Sequence, residues 1–234
     1  MSGRGDVDPN IAALLEAGEE ADARRVPGAW LTTWRWVAGA VAVVLLAWLT
    51  FSRDGWIPLL SAVDLGTHEF GHMIFMWAPS LFVSFAGSLV QVATPAGLAA
   101  YFAWRRDGLA VVLMLGWTAE SLNNVSVYIY DASRLALPLW GDDGTGAGHD
   151  WANILVRLGL LPHTDAIAYT VRGLSAAVFA LALGICAWNL VRPALERRRE
   201  RLLAERRETL PVREPRNPVV RPEPSAVEPG DREL

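Results

Sequence analysis

The chain has 234 residues, 52% of them apolar, 11 tryptophans and a net charge of −4, with most of the charge gathered at its two ends. That profile excludes an ordinary soluble domain and fits a multi-pass membrane protein. The one cysteine, Cys186, excludes an internal disulfide and a thiolate metal cluster, so any metal here must be held by His and carboxylate.

Residues 1–28 are acidic and soluble in character, with a short amphipathic helix expected around Ile11 to Ala21. Residues 29–192 then hold five apolar segments that match the ~20 residues a membrane-crossing helix needs: 30–51, 56–77, 81–104, 109–130 and 166–191. A polar loop, 132–164, separates the last two, and its Gly141 to Gly148 stretch reads as a hinge. Residues 193–234 are first basic and helical, then Pro-rich, with about two dozen terminal residues expected to be disordered. The fold class is therefore all-α, a transmembrane helical bundle of about five spans with a disordered C-terminal tail.

Cytoplasmic flanks carry the excess of positive charge. All 21 basic residues are Arg, and Arg53, Arg105, Arg106 and the run after Arg192 place those turns and the C-terminus on the cytoplasmic side, with the N-terminus outside. Arg24 and Arg25 oppose this orientation. Trp30, Trp34, Trp36, Trp56, Trp77 and Trp104 should mark the two interfaces. The expected setting is a bacterial plasma membrane, with membrane lipids as neighbours, a membrane-protein or lipid substrate, and no nucleic-acid partner.

The second segment contains "DLGTHEFGHMIFMW", which places Asp64, His68, Glu69 and His72 in an otherwise apolar stretch. His68 and His72 stand at i and i+4, one above the other on one helical face, where both imidazoles can reach one zinc ion. Glu69, beside the first histidine, can take a proton from water at that metal. Interfacial histidines with a snorkelling Glu are the plainer alternative, but intramembrane ionisable groups are rare unless functional.

A catalytic zinc takes a third protein ligand, and Glu120, Asp131, His149 and Asp150 are candidates. Glu120, Asn124 and Asp131 share one helical face, although Asn123 and Asn124 can equally join helices and Asp131 can close a helix end. His149 and Asp150 come from the loop "GAGHDWANIL", where Asp150 can also serve as a helix N-cap. His163 suits an interface better than a metal. Asp64, one turn before His68, is a natural partner for that imidazole.

His68, Glu69 and His72, followed by Asn124 and Asp131 on a later span, resemble the site-2-type intramembrane zinc metalloproteases. Around Asp131 the sequence is "YIYDASR", without the Pro and the Leu-Asp-Gly of that family's second motif. The resemblance implies a zinc-dependent hydrolase, a metallopeptidase cleaving peptide bonds in or near the membrane, with Glu69 as general base and Asn124 orienting substrate or an oxyanion. It also favours Asp131 as third ligand, with His149 second. A zinc-dependent lipid hydrolase or amidase, and a non-enzymatic metal-binding or transport protein, are the alternatives.

Overall fold

A computed structural model describes residues 29–53, 56–138 and 148–209, with side chains from 33 to 206. The amphipathic helix expected at Ile11 to Ala21, Arg24 and Arg25, most of the Gly141 to Gly148 hinge and the terminal tail lie outside the described residues. All regular structure among the described residues is helical: α1 (Ala29–Ser52), α2 (Leu60–Ile74), α3 (Ser80–Trp104), α4 (Gly108–Asp131), α5 (Asp150–Arg157), a short 3₁₀ turn (Leu161–His163) and α6 (Thr164–Thr209). The chain divides after Pro193, within α6, into units Met1–Pro193 and Ala194–Leu234. The described part of the second unit is the basic end of α6, with Leu202 and Leu203 exposed.

The first unit buries many polar side chains and exposes many large apolar ones. Buried positions include Asp64, His68, Gln91, Glu120, Asn123, Asp131 and His149, whereas Trp34, Leu45, Trp48, Phe70, Met73, Leu174 and Trp188 are exposed. Water would punish that arrangement and lipid rewards it. The stretches Thr33–Ser52, Ser80–Trp104 and Leu161–Arg206 are long and apolar enough to cross a membrane. Helix α4 has 24 residues, but Glu120, Ser121, Asn123, Asn124 and Ser126 keep it out of that group.

The segment expected to cross at 56–77 is shorter than its hydropathy suggests. Its helix, α2, has only 15 residues, about 22 Å of rise against a hydrocarbon core of about 30 Å. Pro58 lies in the turn before it and Pro79 precedes α3. Helix α2 is thus too short to cross by itself.

That shortness changes the direction of α1. Arg35 at the start of α1 pairs with Asp107 at the start of α4 (3.5 Å), Trp36 lies over Gly108, and the amide of Asn123 donates to the carbonyl of Thr50 (3.4 Å). Helices α1 and α4 therefore run parallel. Helix α2 follows the same direction, with Asp64 against Trp117 and Ser121 and His68 beside Tyr128. Helices α3 and α6 run the opposite way, the latter shown by Arg134–Asp165, Tyr130–Tyr169 and Ser175–Ala119.

The start of α1 thus shares one end of the bundle, the basic end, with the Arg105–Arg106 turn, and α6 descends toward that end as it passes Gly39 at Cys186. The expectation that the start of the first span and the Arg105–Arg106 turn lie on opposite sides fails. So does the grouping of Arg53 with Arg105, because α1 carries Arg53 to the far end.

Two apolar clusters fasten the elements. Val43, Val112, Ala119, Phe179, Ala182 and Cys186 join α1, α4 and α6. Val125, Ile129, Ala132, Leu155 and Ala168 seat α5 against α4 and α6 at the far end. Gly71 allows α2 to touch α3 directly, since a Cβ there would fall 2.4 Å from the Ala86 carbonyl oxygen.

Candidate metal centre

The i, i+4 spacing stacks His68 and His72 on the face of α2 that packs on α3, their rings 4.8 Å apart. Each ring is oriented through Nδ1. His72 Nδ1 lies 2.8 Å from the Val83 carbonyl oxygen, which can only accept, so that nitrogen carries a proton. His68 Nδ1 lies 3.1 Å from Gln91 Oε1, and the Gln91 amide in turn donates to Asn124 Oδ1 (3.3 Å), which fixes the oxygen toward the ring. Both Nε2 atoms are left to face inward.

What they face is Asp150. Its Oδ2 lies 3.3 Å from His68 Nε2 and 3.1 Å from His72 Nε2. With Nδ1 protonated on both rings, a neutral imidazole would point a lone pair at a carboxylate oxygen. The arrangement calls for a positive charge at that point, either protons on the imidazoles or a metal ion among the three atoms. Ligands ~2.1 Å from a tetrahedral zinc stand about 3.4 Å from one another, so the spacing suits an ion. Burial works to raise the Asp150 pKa, but hydrogen bonds with His68 and His72 outweigh it and hold the carboxyl at about 2.

Asp150 is delivered by α5. His149 caps that helix, its Nδ1 accepting from the Ala152 amide (3.2 Å), and its ring stacks on Tyr128 at 4.4 Å. The Asp150 amide donates to the Tyr128 hydroxyl oxygen (3.0 Å), and that hydroxyl donates to Asp150 Oδ2 (3.4 Å). Trp151 donates to Ser88 Oγ (3.0 Å), tying α5 to α3. Burial lowers the His149 pKa and keeps the ring neutral, as its role as acceptor requires.

The two residues expected as third ligand therefore have other work. Asp131 closes the end of α4, its two carboxylate oxygens accepting from the amides of Ala136 (2.9 Å) and Leu137 (3.1 Å). His149 uses Nδ1 for the cap and turns Nε2 toward Asp131 at 3.4 Å. Asp64 is not the partner of His68 either. It accepts from Trp117 Nε1 (2.8 Å) and Ser121 Oγ (3.0 Å), leaving Gln91 to hold the imidazole. Asp150, weighed as a possible N-cap, occupies the first turn of α5 beside the cap residue.

Gly87 makes the centre possible. A Cβ there would stand 2.5 Å from His68 Nε2 and 2.6 Å from His72 Nε2. Glu69 joins the two histidines in a group whose potential ligand atoms all lie within 4.8 Å of one another. All three, with Asp150, line a cavity of about 1010 Å³. Its other walls include Asn124, Tyr128 and the apolar Leu65, Val83 and Val127, and Trp56, expected at an interface, lines it as well. Gln91 and Tyr128 were not singled out by sequence. A lone glutamine inside the apolar run "SLVQVATP" was the available signal.

Comparison of the chain with protein-family models, curated proteins and solved structures found no match in any of the three.

Proposed function

We propose that this protein is an integral-membrane zinc hydrolase that cleaves peptide bonds, with His68, His72 and Asp150 holding the metal and Glu69 as general base. The observation that carries the reading is the convergence of both Nε2 atoms on Asp150 Oδ2 in a cavity that Glu69 also lines. Zinc bound there would polarise a carbonyl and acidify water. Glu69 accepts the proton of the attacking water and returns it to the leaving amine. Val83 and Gln91 hold the imidazoles, and Asn124, which also lines the cavity, positions His68 through Gln91. The basic end faces the cytoplasm, and the centre lies toward the opposite membrane surface.

A lipid amide or ester is the second reading, favoured by the apolar wall of Leu65, Val83 and Val127, which suits an acyl chain. The test is metal analysis of purified wild type, Asp150→Ala and Glu69→Gln, with turnover measured on labelled peptide and lipid substrates. Zinc retained in Glu69→Gln with activity down by ~10²- to 10⁴-fold supports hydrolysis. Full activity in that variant would leave a metal-binding scaffold as the better account.

A further inference from the structure

Below the histidine centre, one turn back along α2, two carboxyls are sealed inside the bundle. Asp64 is 1% exposed and Glu120 is 0% exposed, and the two side chains face each other across α2 and α4. Asp64 Oδ1 is satisfied by two neutral donors, Trp117 Nε1 and Ser121 Oγ. Asp64 Oδ2 and both oxygens of Glu120 meet no donor from any other group, and the two carboxyls stand within hydrogen-bond reach of one another. Thr50 Oγ1 and Asn123 Oδ1 have no hydrogen-bond partner, and they come from residues each 0% exposed and joined to one another by the Asn123 amide on the Thr50 carbonyl. Asn123 stands one turn above Glu120 on α4, so the end of α1, the start of α2 and the middle of α4 together present five oxygens without donors.

Burying one unpaired polar atom is costly, and an unpaired charge more so. A single proton shared between the carboxyls would satisfy Asp64 Oδ2 and one oxygen of Glu120. It would leave the other Glu120 oxygen, Thr50 Oγ1 and Asn123 Oδ1 as before. A cation between the carboxyls would serve Asp64 Oδ2 and Glu120 together, with Asn123 one turn along α4 and Thr50 bonded to it as the nearest further oxygens, and an all-oxygen set with two carboxylates is the chemistry of a hard ion. Two negative charges match a divalent one. Calcium tolerates irregular oxygen shells and mixed carboxylate, amide and hydroxyl ligands, whereas magnesium keeps its waters.

We propose that Asp64, Glu120, Thr50 and Asn123 form a second cation site, oxygen-lined and selective for calcium over zinc, inside the bundle and distinct from the histidine centre. Its occupation ties the last turn of α1 to α2 and α4, so its ion is structural for the helix that carries His68. This rests on the buried oxygens alone and holds whether or not the histidine centre hydrolyses anything.

The experiment uses full-length protein in detergent, stripped of metal and titrated with ⁴⁵Ca²⁺, in wild type and in a His68→Ala/His72→Ala background. One calcium per chain in both, with a rise in unfolding temperature, is expected. Uptake should fall at least tenfold in Glu120→Gln and in Asn123→Ala, the latter keeping both carboxyls should the former fail to fold. Calcium uptake that disappears with the two histidines, or survives unchanged in both Glu120→Gln and Asn123→Ala, overturns the proposal. So does a wild type that binds no calcium but shows a protonated carboxyl band by infrared that Glu120→Gln removes, for then the pair holds only a proton.

Discussion

Asp150 Oδ2 sits 3.1 Å from His72 Nε2, although 78 positions separate the two residues in the chain. The pair joins a short loop helix to a helix of the bundle, and it makes a sharp statement about ligand identity. Asp150→Ala should lose zinc as completely as His68→Ala. Asp131→Asn, which keeps a side-chain acceptor for the amides of Ala136 and Leu137, should keep its metal. Zinc content by mass spectrometry on the purified variants decides between them.

The ring-orienting contact to Gln91 gives a graded expectation. Gln91→Leu removes the acceptor at His68 Nδ1 while preserving much of the volume, and metal affinity should fall ~10- to 100-fold. Gln91→Glu offers a carboxylate to the same N–H and should keep affinity near wild type. Competition against a zinc chelator measures both.

Gly87 tests the site without touching a ligand. Gly87→Ala would put a methyl group 2.5 and 2.6 Å from the two Nε2 atoms, so the imidazoles must move or α2 must part from α3. Zinc binding should be lost, and a loss of stability of ~1–3 kcal/mol, as for overpacking, is expected in thermal unfolding. Gly66→Ala, where a Cβ meets nothing within 4 Å, is the matched control and should leave both unchanged.

The parallel course of α1 and α4 predicts topology. With Cys186 replaced by Ser, single cysteines at exposed Trp34 and Trp104 should label from the cytoplasmic side, and one at Met76 from the opposite side. Labelling of positions 34 and 104 from opposite sides would contradict the Arg35–Asp107 contact.

The histidine pair was legible in the sequence because its geometry is local: i, i+4 spacing on a helix needs no tertiary information. The carboxylate that meets the histidine pair was not, for a physical reason. Asp131 has a helical address that a reader can compute, but its carboxylate is consumed by the turn that ends α4, and only the folded chain shows this. Asp150 depends on a loop folding back, and nothing local announces that His149 will cap α5 and turn its neighbour inward. Helical character was equally plain from hydropathy. The direction of α1 was not, because direction follows from counting complete crossings, and α2 has too few residues to count as one.

The short helix α2 also bears on how the chain enters its membrane. An Asp at the centre of an inserting helix opposes insertion by ~2.5–3.5 kcal/mol, and Asp64 finds its donors, Trp117 and Ser121, only on α4. His68 likewise waits for Gln91 on α3. During synthesis α2 therefore has no stable place in lipid until more than fifty further residues have emerged. The helix that carries both histidines should then settle only in nascent chains long enough to include α4, whereas α3, apolar enough to cross by itself, needs no such partner.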